Sequence, residues 1–439
     1  MLRLLLILLA GWLLLSPVLA QSAFPDPYRY PEENVFLGGL GMTWVDGQPY
    51  TTFTLAPDFA FGKIGVGVYL QLLLDNNNNW KLREDEYKGG AGILRAIRYL
   101  RYGQKYDAYY ARIGMLDRAI LGNGFLLWNY NNGSNYDKRN VGLVADLDFG
   151  GVGIESVIGS LGDGDLMGYN VFVRPFELAG SESGILKRIR LYSTLVRDNK
   201  VATANPDSSA DLTAFGVGAD FRWLDLPILK SAIYSDFAKF SGGTGTDYGS
   251  GTAVGISATF PDFIGLFALG ARFEKRFIQD QFIPSLFGPV YELERRVYIP
   301  DGENGPIGAL ARLEAAEKSQ GYFGELSGHL INKVRLIGNY QRLNGIKRSG
   351  IIHLEASAPD LVPKFELAAY YDKSRVETFR DFRTLDPLSV LTAEVGYQLN
   401  SFLLLTTIYR WNWVESPDQP GVYTRIERIE PRISFRYRF

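Results

Sequence analysis

Arg432–Phe439 reads RISFRYRF, with Ile433, Phe435, Tyr437 and Phe439 in every second place and Arg432, Ser434, Arg436 and Arg438 between them. A period of two marks a β-strand, whose successive side chains point to opposite faces. Further back, Leu403, Leu405, Thr407, Tyr409 and Trp411 alternate with Leu404, Thr406, Ile408 and Arg410. The same pattern recurs in 393–399, 365–371, 267–273, 215–223 and 53–59. One face is apolar or aromatic, and the other carries mostly Gly, Ser, Thr and charge. Strands in a soluble sandwich run to about 5–6 residues. These approach about 10, the length of an alternating strand that crosses a bilayer with its apolar face toward lipid.

Composition narrows the function classes. The 439 residues include no Cys and two His, with 48 Gly, 26 Tyr and 27 Phe, and 46 basic against 48 acidic side chains give a net charge of −2. Disulfide frameworks and cysteine zinc sites are excluded, no metal or other cofactor is expected, and there is no electrostatic footprint for nucleic acid. The acidic stretch Asp75–Glu86, DNNNNWKLREDE, lacks the spacing of a calcium loop and reads as a solvated connector. No Walker-type phosphate loop is present. The pairs Gly65/Gly67 and Gly216/Gly218 fall inside strands, where they relieve crowding.

Met1–Ala20, MLRLLLILLAGWLLLSPVLA, reads as a secretory signal peptide cleaved after Ala20. Residues 21–34 follow as a short periplasmic segment, and 35–439 alternate throughout. No later run nears the roughly 18 apolar residues of a membrane helix. The expected fold is therefore all-β: a transmembrane antiparallel β-barrel of about 18–20 strands, twenty by direct count, with periplasmic termini. Tight connectors (Gly62-Lys63, Gly103-Gln104, Leu224-Asp225, Asn332, Asn400) alternate with longer ones rich in Asn, Asp, Gly and Ser. Aromatic rings mark two interfaces, with Phe59, Phe61, Phe149, Trp223, Phe260 and Tyr397 at one and Trp44, Trp411 and Trp413 at the other.

The leader, the lack of Cys, the long alternating strands and the terminal aromatic Phe439 resemble a bacterial outer-membrane β-barrel of the porin type. Arg98–Phe125, RYLRYGQKYDAYYARIGMLDRAILGNGF, is similar to uncharacterised barrels of Gram-negative bacteria. This resemblance implies a cell outer-membrane protein in contact with lipid and lipopolysaccharide. It also implies insertion by barrel-assembly machinery that reads Tyr437 and Phe439 on the closing strand, with a homotrimer as one option. The implied activity is passive or substrate-selective diffusion of small polar solutes, and no enzymatic activity is expected. The alternative is a non-conducting barrel serving as an adhesion or complex-forming scaffold.

Two long connectors stand out. Residues 117–137 (DRAILGNGFLLWNYNNGSNYD) are too apolar to sit in water. In trimeric porins the third outer loop folds into the channel, and this one has the same ordinal place. It is expected to constrict the lumen through Arg118, Asn123, Phe125 and Trp128, with an external cap or subunit contact, or an unrecognised hairpin, as the other options. Residues 278–318 include Pro306–Lys318, PIGALARLEAAEK, which reads as a helix. They form either a lid over the mouth or a surface decoration.

Strand parity turns Arg98, Arg112, Arg190, Arg222, Arg272, Arg410 and Arg436 into the lumen, together with Glu325, Glu355, Glu366, Glu394, His329 and His353. Each His shares its strand face with a carboxylate, Glu325 or Glu355. This suits a hydrogen-bond network better than a catalytic base. Charges of both signs across a wet channel would orient polar solutes or pair into salt bridges. Two features strain the scheme. Arg95 and Arg101 fall on the face opposite Arg98, and Val422, Thr424 and Ile426 are out of phase with Ile429 and Ile433, which suggests a bulge or the membrane boundary near Arg428.

Overall fold

The computed structural model describes residues 34–45, 48–74, 80–82, 96–105, 107–133, 140–205, 207–242, 246–263, 267–300, 306–330, 334–359, 361–385, 389–416 and 419–438. The expected signal peptide, the segment 21–33, Arg95, Phe439 and most of 75–86 lie outside them. Each strand pairs antiparallel with its neighbour, and the last, Gln419–Arg438, returns to pair with the first, Val35–Val45, from Val35↔Arg438 to Gly41↔Arg432. Twenty-three segments form this one sheet. Asp58–Phe61 continues Gln48–Leu55, Leu70–Leu74 continues Ile64–Val68, and Trp80–Leu82 and Ile97–Tyr102 flank that last stave on the same side. Three of the twenty-three segments thus share a stave with another, which leaves twenty staves among the described residues. A closed sheet has no edge, so its backbone donors and acceptors are satisfied without water.

Sidedness follows the alternation. Phe215 and Val217 are exposed on the outer face, while Ala214 and Gly216, alternating with them, are covered inside. Leu326 is 56% exposed, and its strand neighbours Phe323 and Ser327 face in and are buried. No helix among the described residues is long and apolar enough to cross a membrane. An apolar outer wall around a polar and charged inner one defines the chain as a transmembrane β-barrel.

Register corrects the sequence reading in several places. A bulge between Phe221 and Leu224 lengthens its strand to Ser209–Leu226, which moves the expected Leu224-Asp225 turn to Pro227-Ile228. Gly67 pairs with Tyr99 and Val68 with Ile97, so Arg98 is the extra residue of a second bulge. The phase change lets Arg98 and Tyr99 both reach Asp58 and turns Arg101 inward, where it is 2% exposed and donates to the Gly103 carbonyl at 2.5 Å. Around Arg428 there is no bulge, because pairing runs unbroken from Leu403↔Phe435 to Glu415↔Tyr423. Trp411 is 6% exposed and so is not part of an outer ring belt. On the tight-turn side, residues 174–188 form a longer connector with a helical turn at Pro175–Leu178.

The inner wall is laid with one repeated device. Tyr192, Gly218 and Asp236 are cross-strand partners on three successive staves, and the Tyr192 hydroxyl donates to Asp236 Oδ1 at 2.6 Å. Tyr234, Gly255 and Glu274 repeat it at 2.8 Å, and Tyr99, Gly67 and Asp58 do so again at 2.8 Å. In each case the ring lies flat over the glycine, whose missing side chain leaves the lane to the acid open, since a Cβ there would run into the ring. Replacing Gly255 with Val is expected to displace Tyr234 from Glu274 and to destabilise the barrel by about 1–3 kcal/mol. Gly324→Ala, whose added methyl meets nothing nearer than 3.9 Å, should be neutral. Unfolding midpoints of purified barrels, read by heat-dependent electrophoretic migration, check the contrast.

Candidate functional site in the lumen

The connector that begins at Asp117 runs inward and is bonded to staves almost opposite one another. At one side the Gly122 amide donates to Glu155 Oε2 at 2.8 Å, and Asn132 donates to the Gly159 carbonyl at 2.8 Å. At the other, Arg118 reaches Glu355 at 2.7 Å. Between them Asn123 donates to the Tyr192 hydroxyl at 2.7 Å and accepts from Arg272 through its carbonyl. Arg272 also stacks on the Trp128 ring at 4.0 Å, with Phe323 edge-on to that ring at 5.7 Å. Gly124, at φ +81°, lies under the Trp128 ring, where a Cβ would collide with it. A left-handed backbone and a close approach thus both require glycine there.

Its apolar residues do not face water. Phe125 stacks on Phe282 at 5.5 Å, Leu127 forms a parallel bridge with Phe287, and the Trp128 amide donates to the Phe287 carbonyl at 3.2 Å. The second long connector has therefore folded into the lumen against the first, and is neither a lid over the mouth nor a surface decoration. Its helical turn Tyr291–Glu294 is buried throughout, and its second helix, Ala309–Glu314, is shorter than the sequence suggests. Ile307 bridges to Ile299 and Gly308 caps the helix at φ 101°, which delays its start beyond Pro306.

A buried ionic knot fixes this second connector. Arg295 meets Asp198 through Nη2 at 2.5 Å and Nε at 2.6 Å, and Asp165 at 3.2 Å, while the Tyr291 hydroxyl donates to Asp198 at 2.8 Å. Tyr130 of the first connector donates to Glu292 Oε1 at 2.5 Å. The other Glu292 oxygen lies 3.7 Å from Arg295 and makes no hydrogen bond among the described residues. Burial pushes the Glu292 carboxyl above the usual glutamate range, although Arg295 and the Tyr130 hydroxyl work the other way.

The residues that parity assigns to the lumen take the following partners. Arg98 pairs with Asp58 at 2.5 Å, Arg112 with Asp117, Arg190 with Asp220 at 2.6 Å, and Arg436 with Glu366. Arg410 lies 3.7 Å from Glu430, and Arg222 sits near the tight-turn end of its strand, 3.4 Å from Asp225. Arg272, Glu325, Asn339, His353 and Asp372 are cross-strand partners in one continuous row. His329 and Glu394 occupy inward positions away from this row. His353 takes Asp372 as partner at 2.8 Å rather than Glu355 of its own strand, which is bonded to Arg118. Parity could not supply that pairing, since it depends on register between strands. Tyr437 pairs with Phe36 at the closing seam. No cluster of three or more metal-ligating side chains occurs among the described residues.

No family model and no curated protein matches the chain. Solved structures similar to it include the outer membrane protein opdK from Pseudomonas aeruginosa, at 11% identity over 93% of this chain and 99% of that one, with a TM-score of 0.34. A BenF-like porin from Pseudomonas fluorescens Pf-5 is similar at 11% identity, over 93% and 98% of the two chains, with a TM-score of 0.34. CdiB from Acinetobacter baumannii is similar at 8% identity over 93% of this chain, with a TM-score of 0.27, and the chain spans 60% of its length.

The ionic knot gives a pH dependence of defined sign. Folding raises the Glu292 pKa above its ordinary 4.5, so the folded chain holds a proton that the unfolded chain has released. The packing is therefore tightest below that ordinary value and loosens as pH rises through the raised one. Glu292→Gln should abolish this trend in protease protection of residues 279–318. Arg295→Met, which strands Asp198, should expose the same segment at every pH, at a cost of about 3–5 kcal/mol.

Proposed function

We propose that this barrel is an outer-membrane channel through which small hydrophilic solutes diffuse along a path narrowed by its two inward connectors. The observation that carries the reading is the placement of 117–133. It is bonded to nearly opposite walls, yet it leaves a recess between Trp128, the second connector and the wall formed by Ser319–Leu330, Val334–Leu343, Gly350–Pro359 and Phe365–Val376. Barrels of this size enclose an aqueous lumen unless loops fill it. Here the connectors lie against the row of charged and polar side chains, with Arg272 stacked on Trp128 and Arg272, Asn339, His353 and Asp372 buried. Arg118, Asn123, Phe125 and Trp128 act as the constriction in this reading. Arg432 and Arg436 on the closing strand face Glu430 and Glu366 and set a local field for passing solutes. Export past the inner membrane, contact with outer-membrane lipid and lipopolysaccharide, and insertion by barrel-assembly machinery belong to the same proposal, and no catalysis does.

A second reading, a sealed barrel acting as a scaffold, is favoured by one feature: Leu127, Phe287 and Tyr291 are wholly buried in a continuous apolar core inside the lumen. Conductance separates the two. Single-channel recordings in planar bilayers should give discrete steps, and deletion of residues 120–130 should enlarge them. A correctly folded protein that never conducts, with or without residues 279–318, would contradict the channel and favour the scaffold.

A further inference from the structure

The connector that follows Phe365–Val376 folds the opposite way from the two in the lumen. Register places Tyr340, Ile352 and Lys373 on the outer face of three successive staves, with Tyr371 beside Lys373 on that face. Lys373 Nζ donates to the Thr384 carbonyl at 2.5 Å and to its hydroxyl at 2.9 Å, and the Tyr371 hydroxyl donates to the Phe382 carbonyl at 3.4 Å. The Phe382 ring meets Tyr340 edge-on at 6.2 Å. Residues 377–385 therefore lie back over the outside of the wall, and Ile352 is buried there although its side of the sheet is the lipid-facing one.

This outer surface carries unmatched positive charge. Residues 342–348 and 377–383 hold Arg342, Lys347, Arg348, Arg380 and Arg383 against two acids, Glu377 and Asp381. Both acids are engaged within the fold. Glu377 accepts from Arg342 at 2.9 Å and from the Arg348 amide, and Asp381 accepts from the amides of Glu377 and Thr378 at 2.8 and 2.7 Å. Lys347, Arg380 and Arg383 are exposed and take no acid partner among the described residues. Lys275, in the cross-strand row Lys275–Tyr322–Arg342 on the same face, lies 4.0 Å over the Tyr322 ring and likewise takes no acid partner among them. Elsewhere on the outer face cations are matched, Arg197 by Asp211 at 2.7 Å and Lys239 by Asp247 at 3.0 Å.

Apolar surface adjoins these cations. Phe379 is 76% exposed beside Phe382, at 4.9 Å, and the outer face of the adjoining staves presents Phe273, Phe277 and Leu326. A free anion would gain nothing from that surround, whereas a lipid with a charged head would use both parts. Resting on the outer-membrane placement in the reading above, we propose that residues 377–385 and the wall beside them bind a phosphorylated glycolipid of the outer leaflet, lipopolysaccharide. Its phosphate oxygens accept from Arg380, Arg383 and Lys347, and its acyl chains lie along the apolar wall. The planar guanidinium fork suits phosphate, since two parallel N–H groups meet two oxygens. Long connectors of such barrels face outward, which brings this one to the leaflet that holds that lipid.

Titration of the intact barrel in detergent micelles with bisphosphorylated lipid A tests the site, with native mass spectrometry reading the lipid retained per barrel. Potassium chloride conductance of the same preparations reads the channel, and heat-dependent electrophoretic migration confirms that each variant is folded. The double variant Arg380→Gln with Arg383→Gln should weaken retention about tenfold or more, the loss of charge-assisted hydrogen bonds to phosphate, while conductance changes less than about twofold. Arg380→Lys with Arg383→Lys keeps the charge and should keep most of the retention. Arg197→Gln, at a cation already matched on the same face, should change it less than about twofold. Unchanged retention in the double Gln variant, equal retention of dephosphorylated lipid A, or displacement of lipid A by equimolar inorganic phosphate would overturn the site. So would a double Gln variant that loses only its dimers or trimers, which would mark the surface as a subunit contact. Failure of these lipid readouts with normal conductance counts against the site alone, and a barrel that retains lipid A as described but never conducts upholds the site and counts against the channel alone.

Discussion

A strand in hydrocarbon has no water for its N–H and C=O groups, so everything in this molecule depends on the sheet closing. The pairing of Val35–Val45 with Gln419–Arg438 is that closure. It joins the first and last strands, leaves no unpaired edge among the described strands, and fixes which face of each strand meets lipid. Once closure sets the faces, the period of two in the sequence becomes a sorting rule, with apolar and aromatic side chains outside and Gly, Tyr, Arg and acids inside.

The inside then has to be filled or satisfied, and the chain does both. At three places on the wall a tyrosine lies over a glycine and bonds to an acid on the next stave, which takes up little lumen volume. Above this lining, two connectors from one end of the barrel pack face to face. Phe125, Leu127 and Trp128 of the first find Phe282 and Phe287 of the second, and the Arg295–Asp198 pair ties the second to the wall. Each buries apolar residues against the other and against the wall. Together they form a core inside the barrel and leave a small recess against the wall along Ser319–Val376.

Much of this could be read from the chain before its structure was known. The strand alternation and the closed antiparallel barrel it builds follow from local pattern. What could not be read depends on register or on distant partners. One extra residue at Arg98 turned Arg101 inward, and another before Leu224 moved a turn to Pro227-Ile228. Asp372, Asp198 and Arg295 carry no local signal, because their partners lie on other strands or loops. The second connector looked like a separate element because nothing in its own sequence names Leu127 as its neighbour.

The two connectors meet inside the barrel, and the absence of Cys from the chain gives a clean probe of that contact. Leu127 and Phe287 are bridge partners, a separation of about 5 Å between strands that suits a disulfide. Oxidation of a double variant carrying Leu127→Cys and Phe287→Cys in intact outer membranes should cross-link the two positions nearly completely and protect both from a bulky thiol reagent. Two thiols that label freely from outside and never cross-link would mean that the connectors lie apart, and the lumen architecture described above would be wrong.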